Sequence, residues 1–109
     1  MAFPMISYRE LDNWREQGKA FVLIDLREPY LYARKRLWGS VNIPFDEIEY
    51  RLSEVPRDYP VVFYCDRGPK SMVVCRDLSR QGYRCVDLAG GMLQYRGKFI
   101  DNTPLAAIE

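Results

Sequence analysis

With 109 residues, 48% of them hydrophobic and 28% charged, the chain has the material for one packed domain and too many apolar residues for a disordered one. Its 16 basic and 15 acidic residues leave a net charge of +1, which argues against nucleic acid as a partner. No apolar run nears the ~18 residues of a membrane span. The start, Met1-Ala2-Phe3-Pro4-Met5-Ile6, lacks the basic stretch and long apolar run of a signal peptide, so a cytoplasmic protein without membrane contact is expected.

Apolar runs alternate with helical patterns at short intervals, the rhythm of an α/β domain. Ser7 and Glu10 form a capping-box signature, which predicts a helix to about Gln17 with Leu11 and Trp14 facing inward and Gly18 ending it. Phe21–Asp25 reads as a buried strand, and Glu28-Pro29-Tyr30 as a first helical turn with Pro29 at its start. Ser40–Pro44 is extended, because Pro44 pushes Ile43 out of the helical region. Asp46 is expected to cap a short helix carrying Ile48 and Leu52, and Arg57–Pro60 to turn. Val61–Cys65 is the strongest strand signal, β-branched and aromatic without interruption, hence buried on both faces. After a Gly-Pro turn, Ser71 should cap a helix to about Gln81, stopped by Gly82, with Met72, Val74, Cys75 and Leu78 on its apolar face. Arg84–Leu88 is the next strand; Gly90-Gly91 breaks it, and Met92 to about Arg96 is a last short helix. From Asn102 onward there is no structural signal.

The chain holds three cysteines, Cys65, Cys75 and Cys85, and no histidine. An odd count is no disulfide framework, and the spacing of ten fits no zinc pattern. Without histidine, Cys-His and Ser-His hydrolases and histidine-ligated metals are excluded. Cys75 and Cys85 read as packing residues. Cys65 differs, because it ends a buried strand five residues before a helix, where ligands bind in open α/β sheets. A short loop opening a helix can aim several N–H groups at one point, and the helix adds about half a positive charge there. Gly68 permits positive φ, Pro69 stiffens the curl, and Arg67 and Lys70 add full charges; all favour a thiolate at Cys65. Asp66 opposes them unless it turns to solvent or pairs with Arg67. A nucleotide P-loop is excluded, since Gly68-Pro69-Lys70-Ser71 has Pro where a glycine must precede the lysine.

The loop Cys65-Asp66-Arg67-Gly68-Pro69-Lys70-Ser71 resembles the active loop of the rhodaneses, a sulfurtransferase family. Three further segments, in order, are similar to that family: Asp25-Leu26-Arg27-Glu28, Gly39-Ser40-Val41-Asn42-Ile43-Pro44 and Leu88-Ala89-Gly90-Gly91. Two positions depart from it. Arg36-Leu37-Trp38 stands where His-Ile-Pro is usual, and Met92 where Trp or Phe is usual. The resemblance implies a three-layer α/β/α fold around a mostly parallel five-stranded sheet. It implies one domain over residues 1–109, with a core of about 6–98 and a tail of about 99–109. It also implies that Cys65 carries sulfur as a persulfide between a small donor such as thiosulfate, or a protein persulfide, and a thiol or cyanide acceptor. Asp66, Arg67, Gly68, Pro69, Lys70 and Ser71 would then bind substrate. No cofactor or metal is implied, and Asp25 and Arg27 are expected to pair structurally.

Two other readings compete. A small phosphatase or arsenate reductase of the cell-cycle phosphatase type needs one more residue between the cysteine and its basic partner, which would be Arg. Here four residues separate Cys65 from Lys70. A docking or sulfur-relay module, with turnover incidental, is the other.

Overall fold

The computed structural model describes residues 3–105; Met1 and Ala2, read above for a leader, and residues 106–109 of the expected tail lie outside the described residues. In chain order the elements are β1 (Met5–Ile6), α1 (Tyr8–Glu16), β2 (Val22–Asp25), α2 (Pro29–Arg34), β3 (Arg36–Leu37), β4 (Val41–Asn42), a 3₁₀ segment (Phe45–Glu54), β5 (Val61–Tyr64), α3 (Pro69–Arg80), β6 (Cys85–Leu88), α4 (Gly91–Gln94) and β7 (Ile100–Asp101).

The uninterrupted apolar run of β5 takes the central place, with every residue buried. Five strands form one sheet in the order β1–β6–β5–β2–β4, and every pairing is parallel. Parallel strands need crossovers, and the helices that make them cover both faces. On one face α3 and the 3₁₀ segment bury Val74, Cys75, Leu78 and Ile48 against Ile24, Phe63 and Cys85. On the other, Leu11 of α1 and Met92 of α4 pack on Leu23, Val62, Tyr64 and Val86. The result is the expected three-layer α/β/α arrangement.

The α1 capping box forms as read: the Glu10 N–H donates to Ser7 Oγ at 3.2 Å, and the Ser7 N–H donates to Glu10 Oε1 at 3.0 Å. Other boundaries differ. Helix α3 starts at Pro69 with Gly68 as its N-cap, so Ser71 is not the cap. Pro69 is pre-set for a first helical position, and Gly68 takes φ +128°, so the turn closes before Ser71. This start puts Ser71, Val74, Cys75 and Leu78 on the buried face and leaves Met72 exposed, against expectation. Pro44, not Asp46, precedes the 3₁₀ segment, because the Phe45 N–H is fixed to Leu26 O at 2.9 Å. The last helix covers Gly91–Gln94 rather than Met92–Arg96.

The two-residue strands β1, β3 and β7 have no sequence signal. β3 and β7 pair antiparallel, and Arg36 explains why. Its guanidinium donates to Tyr32 O at 3.1 Å, Thr103 O at 2.8 Å and Asp101 Oδ2 at 3.2 Å, tying the end of α2 to residues 101–103. Residues 99–101, expected to be tail, are therefore half-buried, with Ile100–Asp101 held in a strand. Tyr64 reaches the same region, its hydroxyl accepting the Leu37 N–H at 3.0 Å. No helix of the described residues is long and apolar enough to cross a membrane.

Candidate active site

β5 delivers Cys65 to the carboxyl edge of the sheet at its centre, and the loop after it curls back over the sulfur. The Gly68 N–H donates to Cys65 Sγ at 3.1 Å and the Ser71 N–H at 3.4 Å. Both amides belong to the start of α3, where they have no partner within the helix. The helix therefore turns its unused donors on one sulfur atom. The Ser71 hydroxyl donates to Gly68 O at 3.0 Å and accepts from the Cys65 thiol at 3.6 Å. Gly68 is indispensable to the curl, since φ +128° is closed to residues with a side chain.

A second loop holds the first from behind. The Met92 N–H donates to Cys65 O and the Leu93 N–H to Asp66 O, each at 2.9 Å. Gly91 lets them come this close: a Cβ there would lie 2.4 Å from Cys65 O and 2.8 Å from Asp66 O. The double glycine is thus a contact surface for the cysteine loop, which its position after a strand did not reveal.

In front of Cys65 opens a pocket of about 340 Å³ lined by Leu26, Arg27, Glu28, Leu31, Cys65, Asp66, Arg67, Pro69 and Lys70. Larger grooves elsewhere on the surface hold no cysteine of this loop. Cys65 itself is only 3% exposed and sits at the pocket's base. Arg67, Lys70 and Asp66 are exposed at the rim. Asp66 makes no ion pair with Arg67 among the described residues, so its charge faces solvent. Lys70 Nζ stands 5.4 Å from the centre of the Phe45 ring.

The wall residues Leu26, Arg27, Glu28 and Leu31 were not foreseen as lining. Arg27 and Asp25 pair as expected, with Nη2–Oδ2 at 2.8 Å and the Arg27 N–H donating to Oδ1 at 2.8 Å. Burial works against the Arg27 charge, but the Asp25 carboxylate outweighs it and holds the guanidinium above its ordinary pKa. The Asn42 side chain donates to Asp25 O at 2.9 Å and Arg27 O at 3.0 Å, fixing the end of β2 beside the pocket. Both departures from the family pattern are structural: Arg36 binds the C-terminal strand, and Met92 is buried behind the cysteine loop.

Cys75 and Cys85 are free thiols buried between α3 and the sheet. Contact with Cys85, and then burial, pushes the Cys75 thiol far above the ordinary range, so it is a poor nucleophile at neutral pH.

A reduced cysteine at the end of a central parallel strand, bonded by the opening amides of the next helix, defines an α/β domain with a sulfur-centred anion cradle. The chain belongs to the rhodanese-like domain family, whose family model matches residues 7–98. It is 32% identical over 98 residues to the putative sulfurtransferase YtwF of Bacillus subtilis, covering 90% of this chain and 95% of that one. It is 36% identical over 75 residues to a sulfurtransferase of Allochromatium vinosum, covering 68% and 70%. The crystal structure of a rhodanese-like domain protein from Staphylococcus aureus superposes with a TM-score of 0.83 at 23% identity, covering 91% of this chain and 97% of that one.

Proposed function

We propose that the protein is a sulfurtransferase that moves sulfane sulfur through a persulfide on Cys65. The carrying observation is the pair of N–H donors, from Gly68 and Ser71, on one buried sulfur at the base of a pocket rimmed by Arg67 and Lys70. In the forward half, the Cys65 thiolate attacks the outer sulfur of thiosulfate. The thiosulfate S–S bond breaks, and sulfite leaves with its electron pair. The product is the Cys65 persulfide anion, which the loop amides stabilise as oxyanion-hole donors do an oxygen. Cyanide or an acceptor thiolate then attacks the terminal sulfur, forming thiocyanate or a new persulfide and restoring the Cys65 thiolate. Arg67 and Lys70 draw in the anionic donor, and Asp66, Gly68, Pro69 and Ser71 shape the cradle. A persulfide on a protein serves as donor by the same chemistry. A reducing, cytoplasmic setting suits a domain whose three cysteines are all free.

The test pairs thiosulfate:cyanide transfer with aryl-phosphate hydrolysis. Wild type is expected to transfer sulfur and to gain one sulfur in its intact mass after thiosulfate, whereas Cys65→Ser is expected to do neither and remain folded. Lys70→Ala should raise the donor KM about tenfold, ~1.4 kcal/mol, and leave sulfur removal by a neutral acceptor unchanged. Good phosphate hydrolysis without sulfur transfer would reverse the argument from loop size, and transfer surviving in Cys65→Ser would overturn the assignment.

A further inference from the structure

β6 carries a carboxyl group in the core. Asp87 pairs in register with Phe63 and is fully buried. Side chains alternate along a strand, so Asp87 points with Cys85, and with Phe63 and Cys65 on the neighbouring strand, toward α3. The groups facing it are the Ser71 hydroxyl and Cys75 thiol from α3, Cys65 at the end of β5 and Cys85 on its own strand. It makes no ion pair with Lys or Arg among the described residues, and neither carboxyl oxygen has a hydrogen-bond partner. Ser71 stands close enough to act on the carboxyl, yet its hydroxyl is committed to Gly68 O.

An ionised carboxylate here would be buried without a counter-charge and would repel an anionic sulfur on Cys65. Burial accordingly raises the carboxyl's pKa, with Ser71 opposing it. A neutral carboxyl does the reverse, since it brings an O–H donor to a serine that already touches the nucleophile. We propose that Asp87 is a positioning residue for Cys65: its neutral carboxyl donates to Ser71 Oγ when the sulfur becomes anionic, releasing the Ser71 hydroxyl from Gly68 O to donate to that sulfur. No proton changes owner. The chain Asp87–Ser71–Cys65 adds a third donor to the two amides, and it forms only when the sulfur carries charge, as thiolate or persulfide. This inference rests on the sulfur-transfer reading only for the persulfide.

Alkylation of Cys65 by iodoacetamide, followed by peptide mapping, needs the thiolate but no sulfur transfer, so it separates failure of this inference from failure of that reading. Asp87→Val fills a similar volume without the donor and should slow alkylation about fivefold at pH 7, the rate equivalent of one neutral hydrogen bond. Asp87→Asn keeps a neutral donor and should stay within about twofold of wild type. In a Ser71→Ala background, Asp87→Val should have no further effect, because the residue it acts through is gone. Equal slowing in Asp87→Asn and Asp87→Val, or the full Asp87→Val effect surviving in Ser71→Ala, would overturn the proposal. Should Asp87→Val fail to fold, infrared difference spectra of the unsubstituted protein decide. A protonated-carboxyl C=O band that shifts when Cys65 is alkylated supports the chain, and its absence at pH 7 refutes it.

Discussion

Cys65, Cys75 and Cys85 share one side of the sheet, yet their surroundings give them different chemistry. Two amides and an open pocket face Cys65, whereas Cys75 and Cys85 face each other, the buried Asp87 and apolar side chains. What sets Cys65 apart from the two packing cysteines is thus a set of N–H vectors, none of which is a side chain. Asp87 adds a titration to this neighbourhood. Its carboxyl pKa is raised by burial relative to the unfolded chain, where Asp titrates near pH ~3.9. The native state therefore holds a proton that the unfolded state releases as pH rises. The stability tied to that proton is complete below about pH 4 and is lost as pH climbs toward the native pKa. Asp87→Asn removes the titration. Melting temperatures of the two proteins should draw together at about pH 3 and separate, with Asp87→Asn higher, as pH rises toward neutrality. A constant difference at all pH values would show that Asp87 does not titrate with folding.

At the scale of elements, the site is a junction of three chain segments. β5 and α3 make the cradle, the start of α4 holds its carbonyls from behind, and the end of β2 forms the facing wall. Gly91 abuts backbone rather than a movable side chain, with φ +59° and no room for a methyl group against Cys65 O. Gly91→Ala must open the gap or distort the loop, at a cost of about 2–4 kcal/mol. Denaturant unfolding should show that loss, and Cys65 alkylation should change with it because the loop carbonyls move. A Gly91→Ala protein as stable as wild type, with unaltered alkylation, would mean the two loops do not constrain each other. By contrast, no residue of the α1 capping box lines the pocket, and the box bears on the stability of α1.

At the scale of the molecule, the main sheet sets the site and a small second sheet closes one side. Arg36 is the fastener of that second sheet, its donors spread over α2, Asp101 and Thr103. Arg36→Ala should release β7 from β3. Amide exchange at Trp38, whose N–H donates to Phe99 O at 2.8 Å, should quicken at least about tenfold, matching ~1.4 kcal/mol for the lost charge-assisted bonds. Cys65 alkylation should stay within about twofold, since neither cradle amide depends on these residues. Unchanged exchange at Trp38 would show that strand pairing alone holds the segment.

Where local chemistry decides, the residues were legible in order. The Ser7–Glu10 box, the apolar run Val61–Tyr64 and the Gly68-Pro69 turn each need only their own neighbours, and each forms. The alternation of such runs with helical stretches determined the α/β class, and the four ordered segments determined the family. Tertiary structure decided the rest because it depends on contacts between residues distant in sequence. Which face of α3 is buried follows from where the loop closes over Cys65, so Ser71 went in and Met72 out. The burial of Cys65, the Arg27 wall and the fit of Gly91 against Cys65 O arise only when β2, β5 and α4 meet at one end of the sheet. β3 and β7 are two-residue strands far apart in the chain; too short for any periodicity, they exist only because folding brings Arg36 to Asp101.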